Sequence, residues 1–130
     1  MFVLDTNTLI YFFKGQGRVA DHLLSTPPRD IAIPAISLFE LETGLRKSSA
    51  PEKRRRQLTA LVEQVTVIPF GVREAEAAAN VRVTLEQLGQ PIEPYDTLIA
   101  GIALAHNATL VTRNQAEFSR IDGLRLANWF

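Results

Sequence analysis

Three acidic residues stand where the chain is otherwise apolar. Asp5 ends the run Phe2-Val3-Leu4, Glu40 interrupts Ile36-Ser37-Leu38-Phe39-Glu40-Leu41, and Asp96 precedes Leu98-Ile99-Ala100-Gly101-Ile102. An acid beside a buried element must be paired, hydrogen-bonded or bound to metal. Each has a structural explanation. Asp96 suits a helix N-cap. Glu40 suits the partner of Ser37 in a Ser37-x-x-Glu40 capping box. Asp5 suits an Asx turn at a strand end. Three such acids in one small domain favour a metal site over three unrelated caps. Grouped carboxylates repel and bind protons until a cation relieves them. Mg²⁺ takes oxygen ligands and keeps several waters, so one or two carboxylates hold it. Such a centre activates water for in-line attack on a phosphodiester.

The elements that must position these acids follow from apolar pattern and turn residues. Phe2-Val3-Leu4 reads as a buried strand that stops at Asp5. Leu9, Ile10, Phe12 and Phe13 fit a helix closed by Gly15 and Gly17, and Val19 to Leu24 a second one, ended by Pro27-Pro28. Ile31-Ala32-Ile33 is the next strand. Ser37 is expected to begin a helix, and Pro51 to open another through Leu58, Leu61 and Val62. Val65 to Ile68 is a β-branched strand stopped by Pro69. Residues 72–88 fit an amphipathic helix with Val72, Ala75, Ala79 and Val83 near one face. Tyr95-Asp96-Thr97 opens a helix that runs to His106-Asn107. Leu110-Val111 is a strand, Asn114 to Phe118 a helical turn, and Leu124-Arg125-Leu126 an edge strand.

Strands thus alternate with helices from end to end. This predicts one α/β domain over residues 1–130, with a parallel sheet flanked by helices on both faces. Ligands of such sheets bind beyond the carboxyl ends of the strands. Asp5 and the segment Thr112-Arg113-Asn114 each follow a strand, so they are expected on the same rim.

Composition narrows the class. The chain has 130 residues, 46% of them apolar and 22% charged, and no cysteine. This is a globular composition without disulfides, thiolate nucleophiles or thiolate-bound zinc. No run is apolar enough to span a membrane, and the apolar start meets Asp5 at once, so no signal peptide is expected. The expectation is a soluble, cytoplasmic protein. The 14 basic and 14 acidic residues cancel, which weighs mildly against a nucleic-acid partner. The charges are unevenly spread, however. Arg46, Lys47, Lys53, Arg54, Arg55 and Arg56 face one acid, Glu52, in the same stretch. The run 53–56 reads first as a solvated helix face. Arg46, Lys47 and Arg113 are preferred as nucleic-acid contacts, because they should lie closer to the acids. His22 and His106 lack metal-ligand spacing and are assigned to structure. Tyr95 reads as a core aromatic, and Trp129 and Phe130 as cover for the core edge or a dimer contact.

The motifs in order carry a resemblance. The opening Met1-Phe-Val-Leu-Asp-Thr-Asn-Thr-Leu-Ile10, then Ile36-Ser-Leu-Phe-Glu-Leu-Glu-Thr-Gly44, Pro94-Tyr-Asp-Thr-Leu-Ile-Ala-Gly101, Val111-Thr-Arg-Asn114, Glu117-Phe118 and Trp129 resemble VapC-type toxins. These are the PIN-domain ribonucleases of bacterial toxin–antitoxin pairs. Each motif alone is weak, but the ordered set spans essentially the whole chain. The resemblance implies a PIN fold and Mg²⁺-dependent hydrolysis of RNA, with Mn²⁺ as an alternative ion. It implies 5′-phosphate and 3′-hydroxyl products, transfer RNA as a known substrate of the family, a cognate VapB-type antitoxin, and a homodimer. The family's acidic positions map onto Asp5, Glu40 and Asp96. The fourth falls at Asn114, where many members have Asp, which counts against a second, fully carboxylate-bound metal. Glu117 is one helical turn on. Asp5 and Asp96 are assigned to the metal, Glu40 to the metal or its water, and Thr6, Asn7 and Thr112 to hydrogen bonds behind them.

Two other readings compete. Haloacid-dehalogenase-like phosphatases also place an Asp after the first strand, but with a second Asp two residues on, where this chain has Asn7. A catalytically weak RNA- or protein-binding module would use the acids only as caps.

Overall fold

A computed structural model describes residues 1–130. Five strands, β1 (Phe2–Leu4), β2 (Ile31–Pro34), β3 (Thr66–Ile68), β4 (Thr109–Val111) and β5 (Arg125–Ala127), form one sheet in the order β3-β2-β1-β4-β5. Every pairing is parallel. Seven helices cross between them: α1 (Thr6–Lys14), α2 (Val19–Leu24), α3 (Ala35–Lys47), α4 (Glu52–Gln64), α5 (Val72–Gln87), α6 (Pro94–Ala105) and α7 (Gln115–Phe118).

The strand side chains alternate between two cores, as a period of two requires. Val3, Ala32, Ile68 and Leu110 point to one face, under Val81 and Leu85 of α5 and Ile99, Ala100, Ile102 and Ala103 of α6. Leu4, Ile31, Ile33 and Val111 point to the other, against residues of α1 to α4 and Trp129. Burial on both faces explains why the strands read as unbroken apolar runs. Helices α5 and α6 approach closely at Gly101, where a methyl group would fall 2.5 Å from the Ala78 Cβ.

The chain builds β1, β2 and β3 outward in one direction, then returns to lay β4 and β5 on the other side of β1. The order therefore reverses at the β1/β4 boundary, where the carboxyl ends leave a crevice. Asp5 follows β1 there and Thr112 follows β4. The Asp5 N–H donates to the Val111 carbonyl at 3.1 Å, which closes the corner.

Four local expectations need correction. Helix α3 starts at Ala35 behind Pro34, so Ser37 lies inside it and no capping box forms. The buried face of α5 is Glu74, Ala78, Val81 and Leu85. The stripe Val72, Ala75, Ala79 and Val83 exists but faces solvent, with Val72 76% exposed. Helix α5 carries two apolar stripes, and the spacing alone does not say which meets the sheet. Tyr95 is not a core residue: it is exposed and meets the exposed Phe39 edge-on at 5.7 Å between ring centroids. The last strand is shifted one residue toward the C-terminus, and it is an edge strand as expected.

Candidate active site

Asp5 is buried at the end of β1 and serves as N-cap of α1, its Oδ1 accepting from the Thr8 N–H at 2.8 Å. Thr8 in turn donates its hydroxyl to the Val111 carbonyl at 3.1 Å, so the cap is tied to β4. Burial pushes the Asp5 carboxyl above its ordinary range, against the lowering effect of hydrogen bonds from Thr112 and Thr8.

Freed from the capping box, Glu40 has another partner. Its Oε1 accepts from the Thr6 hydroxyl at 2.7 Å, and the Thr6 Oγ1 also lies 3.0 Å from the Ser37 Oγ. Thr6 therefore links the first turn of α1 to α3, and it leaves Glu40 Oε2 without a protein partner.

Asp96 sits in the first turn of α6 but is not its cap. Glu93 caps the helix through the Asp96 N–H at 3.1 Å, with Pro94 at the first helical position. The Asp96 carboxyl is pushed from 3.8 up to about 7 by desolvation, then by the negative charges of Glu93, Asp5, Glu117 and Glu40. Helix α6 descends to β4, so its N-terminus lies at the carboxyl rim with Asp5. All three acids selected from the sequence thus belong to one electrostatic unit, and Glu93 and Glu117 join it.

No base neutralises this unit. The four ion pairs of the chain join Glu42 to Arg46 and Arg55, Glu86 to Arg82, and Glu74 to His106. Nor do three acids or histidines converge as a preformed cation cage. The donor set is oxygen only, because His22 stacks on Trp129 and His106 pairs with Glu74. These features fit a hard divalent ion that retains most of its water and takes few protein ligands.

The remaining selected residues divide. Asp5, Asn7, Tyr11, Arg113 and Asn114 line a cleft of about 220 Å³. Asn114 precedes α7 without capping it through its side chain, and its N–H donates to the Thr112 hydroxyl at 3.0 Å. The Arg113 guanidinium lies 3.6 Å above the Phe130 ring and 5.7 Å from that of Tyr11, and these rings meet edge-on at 4.9 Å. Phe130 reaches this position over Gly17, where a Cβ would come within 2.6 Å of the Phe130 carbonyl oxygen. Arg46 is instead tied to Glu42, and Lys47 is an exposed residue at the end of α3.

Sequence reasoning missed Glu93, Thr8 and the Tyr11–Phe130 clamp. Glu93 had a legible signal, since an acid before Pro at a helix start reads as a cap. The clamp had none, because its partners are more than a hundred residues apart.

The PIN domain family model matches residues 2–124. The chain is 33% identical over 128 residues to the tRNA(fMet)-specific endonuclease VapC of Salmonella typhimurium, covering 98% of this chain and 97% of that one. It is 37% identical over 131 residues to Ribonuclease VapC2 of Rickettsia felis, covering 99% and 98%. The fold superposes on VapBC from Salmonella typhimurium, solved bound to DNA, with a TM-score of 0.92 over 99% of this chain and 98% of that one, at 33% identity.

Proposed function

The chain belongs to the PIN-domain family, and from that premise we propose that it is the toxin of a type II toxin–antitoxin pair, a Mg²⁺-dependent endoribonuclease acting on transfer RNA. The observation that carries the reading is the uncompensated group of acids at the β1/β4 crevice, with Asp96 pushed to about 7. A centre built this way relieves its mutual repulsion by binding protons, or by binding a cation that restores the charged carboxylates.

Asp5 and Asp96 would hold the ion. Mn²⁺ would suit the same oxygen donors. When bound there, a divalent ion would supply charge neutralisation at the phosphate and would lower the pKa of a water. Glu40, with Oε1 held by Thr6, keeps Oε2 free to accept a proton from the attacking water. The water oxygen forms the new bond to phosphorus while the bond from phosphorus to the 3′-oxygen breaks. The 3′-oxygen leaves and takes up a proton, and the products are 5′-phosphate and 3′-hydroxyl ends. Arg113, held over the Phe130 ring, would face the non-bridging oxygens, which a planar guanidinium suits. The Asn114 amide orients the phosphate or a water from the same cleft. Asn7 and Thr112 support the cleft floor.

The tRNA(fMet) specificity of the Salmonella relative makes initiator transfer RNA the first substrate to try. The VapBC complexes among the solved relatives support a VapB-type antitoxin as partner. A homodimer is supported by the solvent-facing stripe of α5, which borders an apolar groove of about 560 Å³ lined by Phe70, Ile92 and Tyr95 among others. Apolar faces of that kind mark association surfaces.

The test is cleavage of end-labelled initiator transfer RNA by the antitoxin-free chain, with Mg²⁺, with chelator, and beside Asp5→Asn. Discrete cuts that need both metal and Asp5 are expected. A folded protein that binds RNA without cutting any transfer RNA would favour the binding module.

A further inference from the structure

A second groove, of about 600 Å³, runs beside the Asp5 cleft between α1, α3 and the start of α4. Thr6, Ile10 and Lys14 recur every four residues and share a face of α1, next to the face of Asn7 and Tyr11 that lines the cleft. On α3 the same spacing places Glu40, Gly44 and then Ser48 along the groove. Lys53 and Arg54 of α4 complete it. The groove thus has the acid Glu40 at one point and three cations around the rest.

None of these three cations is neutralised within the fold. Lys14, Lys53 and Arg54 take part in no ion pair, whereas Arg46 and Arg55 just outside are both bound to Glu42. Lys53 and Arg54 occupy the first turn of α4, where the helix dipole disfavours positive charge. Arg54 is held in place by neutral partners: its Nη1 donates to Gln57 Oε1 at 2.7 Å, and its guanidinium lies 5.3 Å from the Phe13 ring centroid.

Gly44 points the same way. Glycine inside a helix is less favourable than alanine. At Gly101 the packing of Ala78 demands it. At Gly44 a Cβ would meet nothing within 4 Å. The chain itself has no steric use for this glycine. A bare stretch of helix backbone permits close approach by something from outside.

We propose that this groove carries the RNA backbone on one side of the scissile phosphate, with Lys14, Lys53 and Arg54 on flanking phosphates and the strand lying against α3 at Gly44. The proposal rests on the ribonuclease reading, since Glu40 belongs to both the groove and the acidic centre. A polyanion matches the three cations that no acid pairs, and a single strand with splayed bases is the form of RNA that proteins most often read along a groove.

The test uses the Asp5→Asn chain, so that RNA stays intact, and a short single-stranded RNA whose Kd is followed against salt. Adding Lys14→Gln, Lys53→Gln and Arg54→Gln is expected to weaken binding about tenfold at moderate salt and to lower the salt slope by about 2, at roughly 0.7 per phosphate contact. The same loss of charge at Arg29, Arg73 and Arg120, outside the groove, should leave the slope unchanged. Gly44→Gln should weaken binding while the thermal midpoint stays or rises, which misfolding cannot produce. Groove variants that bind RNA like their parent would overturn the proposal. So would groove variants that keep RNA affinity but lose capture by the antitoxin, because the groove would then seat a protein. A parent chain without RNA affinity would instead remove the ribonuclease reading, and the groove assignment with it.

Discussion

Thr6 holds Glu40 through a 2.7 Å hydrogen bond and has Ser37 as its other partner. One threonine thus sets the rotamer of an acid 34 residues away. Thr6→Val keeps the shape but removes the donor. Residues that orient catalytic groups typically cost about 10- to 100-fold in activity or metal affinity when lost. That range is the expected fall in RNA cleavage, with Thr6→Ser restoring most of it. Ser37 is fully buried, so stability should also drop by about 1–3 kcal/mol. Steady-state cleavage and urea denaturation of the two variants check both effects. Unchanged cleavage in Thr6→Val would mean that Glu40 needs no such support.

The acids make stability depend on pH in a set direction. Asp96 has its pKa raised from 3.8 to about 7 in the folded chain without metal. Between those values the native state holds a proton that the unfolded state has released. Its contribution is full below about 4 and is lost as pH rises through about 7. Metal-free protein should therefore lose denaturation midpoint as pH climbs across that window. Mg²⁺ should flatten the slope by favouring the charged carboxylate. Asp96→Asn should remove much of the slope, stabilise the metal-free chain above pH 7 and abolish cleavage. A midpoint that rises over this window would contradict the arrangement of charges around Asp96.

Arg113 owes its position to an aromatic ring. Phe130→Ala removes the face on which the guanidinium rests at 3.6 Å. A cation–π contact of this kind contributes about 0.5–2 kcal/mol. The KM for RNA should rise severalfold, with a smaller change in kcat, while Phe130→Tyr stays near the parent. The backbone bond from the Arg18 N–H to the Phe130 carbonyl survives both substitutions, so the fold should hold. Equal kinetics in all three proteins would show that Arg113 acts without its clamp.

Much of this is legible in the sequence. Phe2-Val3-Leu4 and Leu110-Val111 are apolar without alternation because both sheet faces are covered, and alternating helices force parallel pairing. That logic placed Asp5 and Thr112 on one rim. Glu40 is legible as an acid out of place, but its partner is not. Ser37 lies three residues upstream and suggested a cap, whereas the donor is Thr6 on another helix. Local pattern reports neighbours in sequence, and a contact between α1 and α3 exists only after folding. The α5 stripe failed for a related reason. Val72, Ala75, Ala79 and Val83 are as regular as Ala78, Val81 and Leu85, and the choice between them was made by packing at Gly101.

That outward stripe yields its own prediction. Val83 is half exposed, and Ala79 lines the apolar groove. Val83→Lys or Ala79→Arg places charge on the face without disturbing the buried side of α5. If the chain pairs through this surface, light scattering should show the parent as a dimer and the variants as monomers with unchanged circular dichroism. Variants that remain dimeric would move the interface elsewhere.

The two helical glycines should respond oppositely to the same substitution. Gly44→Ala adds a methyl group to open space and removes a flexible residue from α3, so stability should rise by up to about 1 kcal/mol. Gly101→Ala puts a methyl group 2.5 Å from the Ala78 Cβ and less than 3 Å from its backbone. Neither helix can yield without disturbing Ile99, Ile102 and Val81 beneath. The overpacking cost of about 1–3 kcal/mol should outweigh the gain in helix propensity. Function should divide along a different line. Gly101 is remote from the RNA path, and its variant should lose stability in parallel with yield of folded protein, with normal cleavage per folded molecule. Gly44→Ala should be the more stable protein and the weaker RNA binder. Thermal melts and cleavage rates measured side by side separate the two, and a Gly44→Ala chain better at both would leave its glycine without a reason.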